Sequence, residues 1–172
     1  MTAFTVRRVL AADTALIEAL AVVLLDVVDG GASVGFMAPL ARERALAFWQ
    51  RVADGVRGGQ RALFVAADEH GLCGTVQLLL DLPDNQPHRA DVAKMLVHRA
   101  ARRRGIAQRL MATVDETARA AGKTVLVLDT VTGGDAERLY ERAGWQRVGV
   151  VPQYALMPDG AYCATTFFYK QL

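Results

Sequence analysis

The stretch DVAKMLVHRAARRRGIAQRLM, residues 91–111, predicts a strand that runs through an arginine- and glycine-rich turn directly into an amphipathic helix. A helix entered in this way exposes unpaired backbone N–H groups at the positive end of its dipole. Gly105 and Ala107 let the backbone approach a ligand closely, and the arginines at 102–104 add positive charge. We therefore expect a phosphate-bearing ligand, although a basic loop capping an ordinary helix explains this stretch alone equally well.

The composition is typical of a folded protein whose positive charge is local. Of 172 residues, 52% are hydrophobic and 22% charged, and the net charge of +2 is too small to indicate a nucleic-acid partner. We expect a single domain that spans residues 1–172. The longest uninterrupted apolar run near the N-terminus, residues 19–25, is too short to cross a bilayer, so we expect no membrane partner and a cytoplasmic location.

The cysteines and histidines do not indicate a metal site. Cys73 and Cys163 lie far apart without metal-ligand spacing, and we expect both to be small, reduced core residues. His70, His88 and His98 form no H-x-x-H or H-E-x-x-H pattern. The sequence therefore predicts a protein without a metal cofactor.

Hydrophobic periodicity predicts an alternation of strands and helices along the rest of the chain, with Asp13 as a candidate cap of the first helix. The glycine-rich segment 31–36 either borders a ligand site or is a plain connector, and a long excursion, residues 152–163, separates the last two strands. The predicted strands are 4–9, 61–67, 72–80, 90–97, 124–130, 146–151 and 165–170, and the predicted helices are 12–28, 40–56, 105–121 and 135–143.

This order of elements, together with two motifs, resembles the GNAT acyltransferase superfamily. The motifs are R-x-x-G-x-A, present as RRRGIA at 102–107, and L-Y-x-x-x-G-W, present as LYERAGW at 139–145. The resemblance covers nearly the whole chain and implies an α/β fold of mixed α+β type. Its centre is a twisted, mostly antiparallel sheet of six to seven strands with a splayed parallel central pair, flanked by about four helices.

The resemblance also implies acetyl-coenzyme A as the co-substrate. Its pyrophosphate would lie on the arginine-glycine turn, and its pantetheine arm would pair with strand 94–97 as an additional strand would. Many family members contact that arm through an asparagine where this chain has Gly133. The residues that the resemblance assigns to the coenzyme are Met95, Leu96, Val97, Arg102, Arg103, Arg104, Gly105, Ile106 and Ala107.

Three side chains are candidates for the chemistry of acyl transfer. The resemblance assigns Tyr140 as the acid that protonates the coenzyme A sulfur, and a simple packed aromatic is the alternative. Asp129 and Asp91 are the candidate bases, and we favour Asp129, at the end of the central strand. A carboxylate of ordinary pKa is poorly matched to an ammonium, so either aspartate could instead orient the amine.

Segments 30–37 (GGASVGFM), 128–130 (LDT) and 158–160 (PDG) resemble GNAT enzymes that inactivate an amino-acid-like toxin. We therefore expect an N-acetyltransferase in which the amine of a small molecule, an amino acid or an amino-acid-like toxin or antibiotic, attacks the thioester directly. Ser33, Phe36 and Asp129 are the predicted substrate contacts. The alternatives are a protein lysine or N-terminal acetyltransferase and a non-catalytic acyl-coenzyme A-binding module, and the sequence leaves open whether the chain forms a homodimer.

Overall fold

One sheet of seven strands forms the centre of the structure, a computed structural model that describes residues 3–172. Its strands are β1 (Thr5–Val9), β2 (Arg61–Asp68), β3 (Gly71–Leu79), β4 (Arg89–Val97), β5 (Val125–Val131), β6 (Gln146–Leu156) and β7 (Tyr162–Gln171). The helices are α1 (Thr14–Asp29), α2 (Arg42–Arg57), α3 (Ile106–Ala120) and α4 (Asp135–Arg142), with a short 3₁₀ turn at Arg99–Ala101.

The strands lie in the order β1-β2-β3-β4-β5-β7-β6, and only β4 and β5 pair in parallel. That parallel pairing is short, because it runs only from Arg89↔Val125 to Asp91↔Val127. Beyond these residues the two strands separate and leave a space between residues 92–97 and 128–131, which we call the β4–β5 cleft. The sheet, the splayed parallel pair and the four α-helices confirm the predicted fold.

Two hydrophobic clusters cover the two faces of the sheet. On one face, α1 and α2 pack through side chains such as Leu24 and Trp49, and on the other α3 packs through residues such as Leu110. The carboxylate of Asp13 accepts a hydrogen bond from the backbone N–H of Leu16 at 2.8 Å, which caps α1 as predicted. Both faces of the central strands are therefore buried. The β4–β5 cleft is where a ligand can lie between two of these strands.

A β-bulge in β4 changes which way its side chains point. Thr75 pairs with Leu96 and Gln77 pairs with Ala93, so one residue of β3 faces two of β4. The extra residue is Lys94, whose φ of 52° is left-handed. Val92 and Met95 both pack on the α3 face, whereas Leu96 packs on the α1–α2 face. Regular alternation would place residues three apart on opposite faces, so the bulge inverts the pattern at Lys94.

The final hairpin differs from the prediction. We expected strands 146–151 and 165–170 with a long excursion between them, but β6 continues to Leu156 and β7 begins at Tyr162. The prediction was wrong because β6 is an edge strand with a register shift between Val151 and Ala155, where Gln153 has a φ of 50°. An edge strand with a bulge accommodates Pro152, which a regular central strand would exclude.

Candidate active site

The start of α3 is shaped for an anion. Gly105 is the N-cap residue, and its φ of 82° is the left-handed conformation that glycine adopts without strain. Among residues 3–172 no side chain caps the helix, so its first-turn N–H groups are not taken up by a capping side chain there. A Cβ on Gly105 would meet no atom within 4 Å, which shows open space beside the turn. Ile106 is buried and the small Ala107 is half-buried.

The three arginines of the turn are not equivalent. Arg104 is mostly buried, and its Nη1 lies 2.7 Å from Oδ2 of Asp68 at the end of β2. The hydrogen bond from Arg104 is the main cause that lowers the pKa of Asp68 to about 2. Arg102 and Arg103 are exposed. Arg104 therefore anchors the turn to the sheet, while Arg102 and Arg103 offer their charge at the surface.

One edge of β4 is open to the cleft. On the β3 side, Leu96 and Val97 pair with Thr75 and Gly74, but after Asp91 no residue of β5 pairs with β4. Leu96 is buried, and Met95 and Val97 are half-buried. The backbone groups on this edge can therefore pair with an extended chain that lies in the cleft.

Tyr140 and Asp129 lie on the β5 side of the cleft. Tyr140 of α4 is only 5% exposed, and its ring packs 6.0 Å from the rings of both Trp145 and Phe168. Asp129 is exposed on β5, two residues beyond the last pair with β4. Burial, and then the charge of Asp129, raises the pKa of Tyr140 to about 12. The phenol therefore remains a proton donor at any ordinary pH.

The two aspartates are distinguished by their partners. Arg89 places Nη1 2.5 Å from Oδ1 of the half-buried Asp91. Burial raises the pKa of Asp91, the Arg89 charge opposes this rise, and the Asp129 charge adds to it. The carboxylates of Asp91 and Asp129 are thus close enough to interact. Within residues 3–172, Asp129 has no ion-pair partner, so its carboxylate is the more available of the two.

The glycine-rich segment contacts the β6–β7 hairpin and α2. The hydroxyl of Ser33 donates a hydrogen bond to the carbonyl of Leu156 at 2.9 Å, and the N–H of Ala38 donates to the carbonyl of Pro158 at 3.1 Å. The ring of Phe36 meets that of Phe48 edge-on, with centroids 5.3 Å apart. Segment 31–39 is therefore fixed between the β6–β7 turn and α2. The substrate contacts of Ser33 and Phe36 remain predictions.

Lys94 belongs to the same group of residues, although the sequence did not single it out. Its Nζ lies 5.8 Å from the ring centroid of Phe48 and 3.6 Å from the position that a Cβ on Gly35 would occupy. Burial lowers the pKa of Lys94, and the charge of Asp129 opposes this shift. In the sequence, Lys94 stands out only as a lysine within an otherwise apolar half of a strand. Regular alternation would place its side chain on the α3 face, which is opposite to the face that it occupies.

Gly133 occupies the position where the family resemblance predicts asparagine. Its φ of 80° is left-handed, and its N–H donates a hydrogen bond to Oε2 of Glu137 at 2.6 Å. The loop before α4 is therefore ordered by the backbone and by Glu137.

Cys73 and Cys163 are buried free thiols, as predicted. Across residues 3–172, no helix is both long and apolar enough to cross a membrane, and no three His, Cys, Asp or Glu side chains are grouped as metal ligands.

Comparison with known proteins places the chain in a family. Residues 59–147 match the family model described as the acetyltransferase (GNAT) domain. The chain is 35% identical over 131 residues to an uncharacterized N-acetyltransferase encoded in the hisH–hisA intergenic region of Azospirillum brasilense, and the match covers 75% of this chain and 76% of that protein.

Solved acetyltransferase structures share the same fold. An N-acetyltransferase from Staphylococcus aureus Mu50 superposes with a TM-score of 0.81 at 17% identity, and the match covers 99% of both chains. The structure of yncA from Salmonella typhimurium, described with its cofactor acetyl-CoA, superposes with a TM-score of 0.78 at 21% identity, and the match covers 99% of this chain and 94% of that one.

Proposed function

Because the chain belongs to the GNAT acetyltransferase family and is an acetyl-CoA-dependent N-acetyltransferase, we propose that its acceptor is the amine of a small molecule, an amino acid or an amino-acid-like toxin or antibiotic. The observation that carries this proposal is the position of segment 31–39. Its hydrogen bonds from Ser33 to Leu156 and from Ala38 to Pro158 fix it to the β6–β7 turn, while Gly35 lies against Lys94. A segment fixed in this way would narrow the end of the cleft beside Lys94, which we call the acceptor end, and this favours a small acceptor over a peptide.

A sequence resemblance supports an amino-acid-like acceptor. Segments 30–37, 128–130 and 158–160 resemble those of the tabtoxin resistance protein, a bacterial acetyltransferase that inactivates a β-lactam amino-acid toxin. Segment 31–39 contacts Pro158, and Gly35 lies beside Lys94, whose ammonium interacts with Asp129. The three segments therefore lie around one region, as parts of a common acceptor site would.

The donor side of the cleft fits acetyl-CoA, which supplies an activated thioester. The uncapped first turn of α3 and the exposed Arg102 and Arg103 suit its pyrophosphate. The open edge of β4 at Met95 and Val97 suits the amides of its pantetheine arm. Backbone N–H groups near Leu96 would then donate hydrogen bonds to the thioester carbonyl oxygen and stabilise the negative charge that develops on it.

Two side chains then serve the proton transfers. The amine nitrogen forms a bond to the carbonyl carbon as the carbon–sulfur bond breaks, and Tyr140 donates its phenolic proton to the leaving sulfur. Asp129 accepts the proton that the amine loses, directly or through water, or it orients the amine for attack. The alternative base Asp91 is held by Arg89, which favours Asp129. The raised pKa of Tyr140, about 12, keeps the donor protonated until it is needed.

The proposal is tested by following thiol release from acetyl-CoA over a panel of amino acids, amino-acid-like antimetabolites, simple amines and peptides. We expect turnover with free amino acids or their analogues in preference to peptides. Preferential acetylation of peptides would instead indicate a protein acetyltransferase. If coenzyme A binds but no amine is turned over, the small-molecule proposal is wrong.

A further inference from the structure

We propose that Lys94 binds the carboxylate of the acceptor while Asp129 receives its amine, so that the enzyme selects zwitterionic amino acids over amines that lack an acid group. This inference rests on the proposed function and specifies the acceptor of the same site. It assigns a specificity-determining role to a residue that the motifs of the chain do not identify.

The bulge in β4 places Lys94 at the acceptor end of the cleft. In a regular strand Lys94 would share the α3 face with Val92, which is part of a hydrophobic core. The inserted residue, with its φ of 52°, instead turns the side chain toward Phe48 of α2 and Gly35 of the glycine-rich segment. A left-handed lysine in a bulge is an unusual backbone arrangement, and bulges often redirect a side chain beside an active site.

The ammonium of Lys94 lacks a fixed counter-ion. Among residues 3–172 no carboxylate forms an ion pair with it, and its Nζ lies 5.8 Å from the ring centroid of Phe48. A half-buried cation loses hydration, and a cation–π contact compensates less than a paired anion does. Burial accordingly lowers the pKa of Lys94. An anionic group on the bound acceptor would supply the missing partner.

The charges around Lys94 match a zwitterion. Asp129 is near enough to influence Lys94, but the two groups do not form an ion pair within 4.0 Å. Asp91 is paired with Arg89, and the guanidinium of Arg44 lies 5.9 Å from the ring centroid of Phe36. Within residues 3–172, Lys94 and Asp129 are therefore a cation and an anion that have no ion-pair partner. A free amino acid carries the complementary ammonium and carboxylate.

The anion that binds Lys94 is not part of the donor. The phosphates of acetyl-CoA belong at the start of α3, beyond the end of β4, and the pantetheine arm next to β4 is uncharged. One competing role is that Lys94 stabilises the negative charge that develops on the thioester oxygen. That role would affect every acceptor equally, whereas a carboxylate-binding role depends on the acceptor.

The test compares acceptors with and without a negative charge at the acid position. Values of kcat/KM are measured for a series of amino acids and their carboxamides with the wild type, Lys94→Met, Lys94→Arg and the control Arg44→Met. We expect the wild type to prefer each acid over its amide by at least about tenfold, as charge-assisted hydrogen bonds allow. Lys94→Met should reduce this ratio to near one, chiefly by raising KM for the acids.

The remaining variants and outcomes keep the inference separate from the proposed function. Lys94→Arg should retain much of the preference, and Arg44→Met should retain all of it. An unchanged preference in Lys94→Met, or an equal loss of kcat for acids and amides, would overturn the carboxylate-binding role while leaving acetyl transfer intact. Absence of turnover with every acceptor, acid or amide, would instead remove the proposed function and this inference with it.

Discussion

At the scale of single residues, the surroundings of Tyr140 support the proton-donor role that we propose for it. Its ring is held by Trp145 and Phe168, and its pKa is raised to about 12 by burial and by Asp129. We expect Tyr140→Phe to lower kcat by about 10²- to 10⁴-fold, the usual contribution of a general acid. The dissociation constant of coenzyme A, measured by calorimetry, should remain nearly constant because the ring still packs. A turnover close to that of the wild type would assign the proton donor to another group.

The raised pKa of Tyr140 also predicts the pH dependence of the reaction. In the role that we propose, the protonated form of Tyr140 is the active one, and it is lost only as the pH rises through about 12. The profile of kcat against pH should therefore show no decline attributable to Tyr140 below about pH 10. A decline near pH 8 that disappears in Tyr140→Phe would contradict the assignment.

Gly133 stands where many family members have an asparagine that contacts the pantetheine arm, and a substitution can test this difference directly. It has a φ of 80°, and a Cβ at this position would meet no atom within 4 Å, so there is room for asparagine, which tolerates the left-handed region. We expect Gly133→Asn to tighten coenzyme A binding by about two- to tenfold, the value of one additional hydrogen bond. Gly133→Ala is the control, because it brings the backbone strain without the amide. Equal affinities for the two variants would show that the asparagine contact does not form here.

Individual residues differ in how far the sequence predicts their roles. Tyr140 and Gly105 lie in local motifs, where a few neighbours in the chain suffice to identify the position. Lys94 does not, because its direction depends on a bulge that arises only when β4 pairs with β3. The Asp68–Arg104 ion pair likewise could not be predicted from a local sequence pattern, since its partners lie 36 residues apart. What the sequence left out are non-local contacts.

At the level of elements, the close approach of β3 and β4 positions the whole cleft. A Cβ on Gly74 would lie 2.7 Å from the carbonyl oxygen of Leu96, which is closer than packed atoms allow. We expect Gly74→Ala to lower the free energy of unfolding by about 1–3 kcal/mol, the usual cost of overpacking, and to raise KM for acetyl-CoA. Gly149→Ala on β6, where no atom lies within 4 Å, is the matched control. Denaturant unfolding with equal stabilities for the two variants would refute this description of the contact.

The turn between β4 and α3 depends on the ion pair of Asp68 with Arg104. Because the folded-state pKa of Asp68 is lowered from 3.8 to about 2, the stability it contributes is complete above about pH 4 and is lost as the pH falls toward 2. We expect Asp68→Asn to lower the melting temperature at neutral pH and to weaken coenzyme A binding. The difference from the wild type should shrink as the pH falls through this range.

The control for this ion pair is Asp54→Asn, which removes an exposed pair with Arg57 inside α2. It should leave both the melting temperature and the coenzyme affinity nearly unchanged. Equal effects of Asp68→Asn and Asp54→Asn would show that the Arg104 anchor does not order the turn.

The elements themselves were predicted well where their patterns are local. The bounds of β2, β3, β5 and all four α-helices fall close to the predicted ranges, because helical periodicity, capping by Asp13 and glycine stops are local signals. The β6–β7 hairpin was not predicted well. Pro152 and the polar residue Gln153 usually indicate a loop, but in this edge strand a bulge accommodates them. The prediction that two central strands pair in parallel came from the family resemblance and not from hydrophobic periodicity.

At the scale of the whole molecule, β6 leaves one edge of the sheet unpaired and apolar. Val148 is 66% exposed and Tyr154 is 51% exposed on this strand. A two-fold axis beside such an edge pairs it with its own copy, so we expect a homodimer formed through β6. Light scattering should give twice the mass of the chain for the wild type and the monomer mass for Tyr154→Lys, with Leu10→Lys as an exposed control outside β6. A monomeric wild type would remove this expectation.

The central claim is that the protein moves an acetyl group from acetyl-CoA to the nitrogen of an amino acid. The most direct test incubates the enzyme with acetyl-CoA carrying ¹³C in its acetyl carbonyl and with a ¹⁵N-labelled amino acid, and follows the products by NMR. We predict a new ¹³C–¹⁵N coupling that appears in step with thiol release and is nearly absent with Asp129→Asn or Tyr140→Phe. Thiol release that yields only free labelled acetate, or no release with any amino acid, would contradict the claim.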